Sequence, residues 1–298
     1  GEGWHQRVPD EDPDEGSQPP MPQGEGAHGE YKDVEGAEQP EQIGVKEFSV
    51  GILAFIIFLA SLVELISAGK ECNDNSKCSG EFAWAVSVGT LSLAVSILYI
   101  LMAKFSKQIL QSIEVWFALF LSTLWLLGVG VLTFDEPFAA TGNGYFACWL
   151  AFIASAALLY TTSETLRMMV ADRLKEMSQH SGVIWVLLIS SMMELIAASL
   201  QCKQRECGSQ TSYGISVSII SICAGLAHMF SAALSPYTIF TAAIMSILWI
   251  TAAGILTFDK PFTVPGNGYF AAWMSMFASC TWLYLCVVGR PNVQAGEI

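Results

Sequence analysis

The chain has 298 residues, 53% of them hydrophobic and 14% charged, with a net charge of −13. Soluble domains carry about 25% charged residues, so this composition excludes an ordinary soluble globule. A strongly acidic balance also argues against a nucleic-acid surface, and no nucleic acid partner is expected.

The net charge is concentrated at the N-terminal end. Residues 1–48 hold thirteen acids against Arg7, Lys32 and Lys46, a net −10, and the remainder is close to neutral. Residues 1–44 are rich in Pro, Gly, Glu and Gln and poor in aliphatics. Such a segment cannot bury enough apolar surface to offset its ordering entropy, so it is expected to be a disordered acidic tail. It has no apolar core of a secretory signal and no basic cluster for anionic lipid. His5 stands where a myristoylation signal needs Ser or Thr.

From residue 45 onward the chain turns apolar. A bilayer-crossing helix needs about 20 such residues. Eight segments meet the requirement, at 49–69, 82–103, 112–133, 143–163, 182–200, 213–233, 237–257 and 267–288. Strand-period alternation is absent, which argues against a β-barrel. The expected fold is therefore an all-α membrane protein with eight transmembrane helices. The first four fall in residues 45–166 and the last four in 182–290, followed by a short tail at 291–298. Between the sets, Leu166, Val170 and Leu174 recur at helical spacing while charges take the other faces. Residues 167–181 are expected to form an amphipathic cytoplasmic linker.

Taken in order, the spans say the same thing twice. SLVELISAGKEC at 61–72 corresponds to SMMELIAASLQC at 191–202. TLWLLGVGVLTFD corresponds to ILWITAAGILTFD, and FDEPFAATGNGYFACW at 134–149 matches FDKPFTVPGNGYFAAW at 258–273 at 11 of 16 positions. Each set thus has a first span carrying a glutamate, a loop with two cysteines, two further spans, and a polar turn that opens the fourth span. This is an internal repeat. Because four spans return the chain to its starting side, the two repeats must be parallel in orientation, related by an axis along the membrane normal.

Cys72 and Cys78 share one loop, and Cys202 and Cys207 share its counterpart. As zinc ligands they lack a His or a second Cys pair, so no metal site is expected. Two local disulfides are expected instead, which places both loops on an extracellular or lumenal side. The termini are then cytoplasmic. With that topology seven basic residues near spans lie inside and five outside, in the sense of the positive-inside rule. The other cysteines, Cys148, Cys223, Cys280 and Cys286, are read as small packing residues.

Glu64 and Glu194 are carboxylates in apolar spans. Such residues are costly and read as functional by default. Both are expected within about two turns of the outer helix end, either holding the outer loops through a hydrogen bond or ion pair, or handling a proton or ion. In the duplicated turn, Pro137 and Pro261 fix φ, and Asp135 and Asp259 accept from nearby backbone amides. Gly142, Asn143 and Gly144, with Gly266, Asn267 and Gly268, supply residues tolerant of positive φ. Tyr145 and Trp149, like Tyr269 and Trp273, are four apart and form an aromatic anchor at interfacial depth.

In layout, each half resembles the tetraspan membrane proteins of the MARVEL, physin and claudin-like kind: four spans, cytoplasmic ends, and a first outer loop able to hold a disulfide. The claudin-type Trp and Gly-Leu-Trp pattern is absent, and tandem fusion is a departure. The resemblance implies membrane organisation through lateral association and partner recruitment.

Catalytic and cofactor signatures are missing: there is no G-x-S-x-G, no H-E-x-x-H, no phosphate loop and no dinucleotide glycine pattern. The expectation is a non-enzymatic scaffold without cofactor, acting on the lipid bilayer, on itself or on other membrane proteins. The alternative is a transporter or channel with its site between the repeats, built on Glu64 and Glu194.

Overall fold

Apolar runs rich in Leu, Ala, Ile and Val satisfy their own backbone polar groups by winding into helices. In the computed structural model, which describes residues 40–74, 78–204 and 207–288, they do so throughout, and no strand occurs among those residues. The first set comprises α1 (Pro40–Asp74), α2 (Glu81–Phe105), α3 (Lys107–Leu132) and α4 (Asn143–Thr162). A surface helix, α5 (Glu164–Glu176), follows; the second set is α6 (Gln179–Gln204), α7 (Ser209–Phe230), α8 (Thr238–Gly254) and α9 (Asn267–Val288). A 3₁₀ turn, Ala232–Tyr237, precedes α8 and a π turn, Ile255–Asp259, continues it. Eight helical stretches are long and apolar enough to cross a bilayer, from Phe48–Asp74 to Asn267–Val288.

Two boundaries differ from the sequence reading. Helix α1 begins at Pro40, so residues 40–44 are helical rather than tail; proline is well tolerated in a first helical turn. The rest of the expected disordered tail, residues 1–39, and the C-terminal tail 291–298 lie outside the described residues. The linker helix starts earlier than expected, because the Ser163 hydroxyl caps it by accepting from the Leu166 amide at 3.3 Å.

Both sets pack by the same plan. In the first, α1 contacts α2 and α4, and α3 contacts α2 and α4; in the second, α6 contacts α7 and α9, and α8 contacts α7 and α9. Trp125 and Trp249, both fully buried, fill equivalent places. Buried hydroxyls are set into an apolar interior, and large apolar side chains also cover the outside. Ser61, Ser92, Ser155, Ser191, Ser221 and Ser279 are buried, while Phe55, Ile66, Trp116 and Phe240 are more than half exposed.

Candidate functional site

Glu64 and Glu194 are fully buried. Helices α1 and α6 run on to Asp74 and Gln204, so each glutamate sits ten residues before its helix end (74 − 64 and 204 − 194). That is nearly three turns at 3.6 residues per turn. The depth corrects the expected two turns, which assumed that the helices stop before the cysteines. Neither carboxyl holds an outer loop. Each faces the second helix of its own set instead.

The two environments are similar, but the small residues facing the carboxyls differ. Helices α1 and α2 approach closely at Gly89, where a Cβ would collide with Glu64 Oε2 and lie 3.2 Å from Leu65 Cα. Neither Glu64 oxygen has a hydrogen-bond partner. In the second set the Ser218 hydroxyl donates to Glu194 Oε2, and Glu194 Oε1 is left without a partner. Gly89 lies three residues before Ser92, as Ser218 lies three before Ser221, so a glycine in one half stands where the other has a serine.

One turn away runs a hydroxyl–indole chain. Trp125 Nε1 donates to Ser92 Oγ at 2.8 Å, and Ser92 Oγ lies 2.7 Å from Ser61 Oγ. Ser61 spends its one proton on the Ile57 carbonyl at 2.7 Å, so Ser92 must donate to Ser61. The second set repeats this with Ser191 donating to Ser221 at 2.9 Å and Trp249 donating to Ser221 at 3.2 Å. These chains were not singled out from sequence, although Ser61 and Ser191 stand inside the duplicated phrase. They tie the first three helices of each set together, where buried hydroxyls need partners.

The duplicated turns have the same internal build. Phe138 N donates to Leu132 O, and Phe262 N to Leu256 O, both at 2.8 Å. The peptide bonds before Pro137 and Pro261 are cis. Gly144 and Gly268 are required for a reason other than positive φ, which among the described glycines only Gly80 adopts. A Cβ on either would overlap the ring of Phe138 or Phe262, tucked beneath the helix start. Gly142 has an extended backbone, with φ −174°. Asp259 accepts from the Gln210 side chain at 2.9 Å and not from the expected backbone amide.

Where the two copies of the turn meet, their roles part. Asn267 is buried. Its Oδ1 accepts from the Tyr145 hydroxyl at 2.8 Å and from Trp149 Nε1 at 3.3 Å, and its Nδ2 donates to Thr133 Oγ1 at 2.8 Å. The Thr141 amide donates to the Pro265 carbonyl at 3.0 Å, and Phe134 packs against the core of the second set. Tyr145 and Trp149 are thus partners in a seam between the halves, a role beyond the aromatic anchor expected. A cavity of about 300 Å³ lies beside it, lined by Thr133, Ala139, Ala197, Gln201 and Asn267 among others. Asn143, the counterpart of Asn267, is exposed, and Tyr269 and Trp273 are half-buried.

The cysteine pairs are bonded as expected, with Sγ–Sγ distances of 2.04 Å for Cys72–Cys78 and 1.96 Å for Cys202–Cys207. Of the others, Cys148 is buried but Cys223 is exposed, so only the former fits a core packing role without qualification. At the opposite end of the second set, a cavity of about 580 Å³ is lined by His180, His228, Ser231, Thr238 and Trp282 among others. His228 packs edge-on against Trp282, with ring centroids 5.2 Å apart. Among the described residues no three His, Cys, Asp or Glu side chains gather as a metal site. Comparison with protein-family models, with curated proteins and with solved structures returned no match.

Proposed function

We propose that the chain is a membrane-embedded, non-enzymatic organiser built from two parallel four-span repeats and acting through lateral contacts. The observation that carries this reading is the seam at Asn267. The most closely duplicated phrase in the sequence is used as a docking element that joins one four-helix set to another. Lipid as the surrounding solvent is supported by the many large aliphatic and aromatic side chains on the outside, together with hydroxyls buried between the helices. The transporter alternative needs an ionisable site between the repeats. Each glutamate is instead enclosed within its own set, which favours the organiser.

The test uses photo-crosslinking residues at Trp116 and Phe240, which are 69% and 67% exposed. In native membranes these positions are expected to give discrete protein adducts. Adducts with lipid alone would overturn the organiser reading.

The proposed topology puts both disulfide loops on the extracellular or lumenal side, with the termini cytoplasmic. After mild reduction of intact cells or right-side-out vesicles, an impermeant thiol reagent is expected to label Cys72, Cys78, Cys202 and Cys207 together. Labelling of one pair without the other would break the parallel arrangement.

A further inference from the structure

The seam between the halves uses one copy of a duplicated surface and leaves the other copy open. In it, the second set presents Asn267 and Gly266, and the first set receives them with Phe134, Tyr145 and Trp149. Each of these residues has an identical counterpart in the repeat, and none of the counterparts makes the equivalent contact with another four-helix set; Phe258 instead lies edge-on to Trp273 of its own set, ring centroids 6.3 Å apart. Asn267 is buried, whereas Asn143 is exposed at the edge of an apolar groove of about 260 Å³ with Phe146 and Leu150. A Cβ on Gly266 would lie 2.5 Å from the Ala139 carbonyl oxygen, whereas nothing lies within 4 Å of one on Gly142. Phe134 packs into the second core, whereas Phe258 is 77% exposed. Trp149 Nε1 donates to Asn267, whereas Trp273 Nε1 is buried without any acceptor.

The contact also runs in one direction only. Asn267 reaches Tyr145 and Trp149, but Asn143 does not reach Tyr269 or Trp273. A contact of this kind is heterologous, and it leaves one copy of the donor face and one copy of the acceptor face unused. Because the halves are repeats, those two free faces are complementary to each other.

We propose that copies of this chain associate head to tail, the Asn143 face of one docking on the Phe258–Trp273 face of a second and so repeating the internal seam. The inference deepens the organiser reading and rests on it. Asn143 Oδ1 would accept from Tyr269 of the second copy and, once Phe258 swings off its place edge-on to Trp273, from the Trp273 indole, which that ring helps to bury in the single chain; Phe146 and Phe258 would leave the lipid. One element cannot be copied. The residue equivalent to the Thr141 amide donor is Pro265, which has no N–H. Successive seams close into a ring if their rotation allows it and otherwise extend as a row.

The test compares the unsubstituted full chain with Gly142→Leu and Phe258→Arg, each blocking one face; a Cβ on Gly142 meets nothing within 4 Å, and among the described residues Phe258 has a ring contact with Trp273 alone. Asn143→Ala and Phe258→Ser serve where either misfolds. Assembly is read by cross-linking in the native membrane and by mass in mild detergent. The unsubstituted chain is expected to form assemblies of two or more copies, and each variant alone is expected to be single. Co-expressed, the two variants are expected to form mixed pairs, since each keeps the face the other lacks. A single unsubstituted chain, a folded variant that assembles normally, or co-expressed variants that stay single would each overturn the proposal. If the chain is single yet still gives protein adducts from Trp116 and Phe240, head-to-tail association fails while the organiser reading stands.

Discussion

Asn267→Ala is expected to lower the thermal midpoint of detergent-dispersed single chains strongly, while Asn143→Ala leaves it nearly unchanged. The two asparagines occupy the same place in the same duplicated phrase, so sequence alone assigns them equal effects. In the folded chain Asn267 accepts from Tyr145 and Trp149 and donates to Thr133. Its loss leaves the Tyr145 hydroxyl and the Trp149 indole without that acceptor inside the seam. An unsatisfied buried polar group costs about 1–3 kcal/mol, and two of them together threaten the contact between the halves. Thr133 suffers less, because its hydroxyl also donates to the Val129 carbonyl at 2.7 Å. Asn143 is exposed, and surface substitutions away from special features stay within about 0.5 kcal/mol. Equal shifts for the two variants would mean that the seam contributes nothing to the stability of the chain.

The same pair shows how far the sequence could be read. Apolar runs of sufficient length identify helices on composition alone, and the eight expected segments coincide with α1–α4 and α6–α9, with boundaries within about five residues except the start of α1 at Pro40. Local cysteine spacing was enough for both disulfides, since a loop of this length leaves few other partners. Symmetry breaking was not legible. A repeat gives both copies the same residues, but two halves joined once have a single internal seam, so one Asn is buried and its twin is not. The role of Gly144 and Gly268 was misassigned for a related reason. Glycine serves both positive φ and close approach, and only the rings of Phe138 and Phe262 lying against them decide between the two. The hydroxyl–indole chains escaped notice because serine in an apolar span reads equally as a small packing residue. Its partner, Trp125 or Trp249, is more than twenty residues away in sequence.

The buried glutamates are expected to respond unequally to the same change. Glu64→Met keeps the approximate volume and removes two oxygens that have no hydrogen-bond partner. Deleting polar atoms that are buried and unsatisfied relieves a penalty instead of breaking a contact, so this variant is expected to be as stable as the unsubstituted chain or more so. Glu194→Met removes the acceptor of the Ser218 hydroxyl. That hydroxyl is buried on α7, and its unpaired cost of about 1–3 kcal/mol falls only as far as it can bond back to its own helix. Glu194→Met is therefore expected to be the less stable of the two in thermal unfolding. Gly89→Ala adds a control on the first site, because the new methyl competes with the Glu64 carboxyl for the same space. Part of its cost is expected to vanish in the Glu64→Met background, a coupling of about 0.5–3 kcal/mol for side chains in direct contact. Proteoliposomes carrying the unsubstituted chain are expected to show no proton or cation flux. Flux that either methionine variant abolishes while its thermal midpoint is unchanged would sink the structural account of both glutamates and restore the transporter.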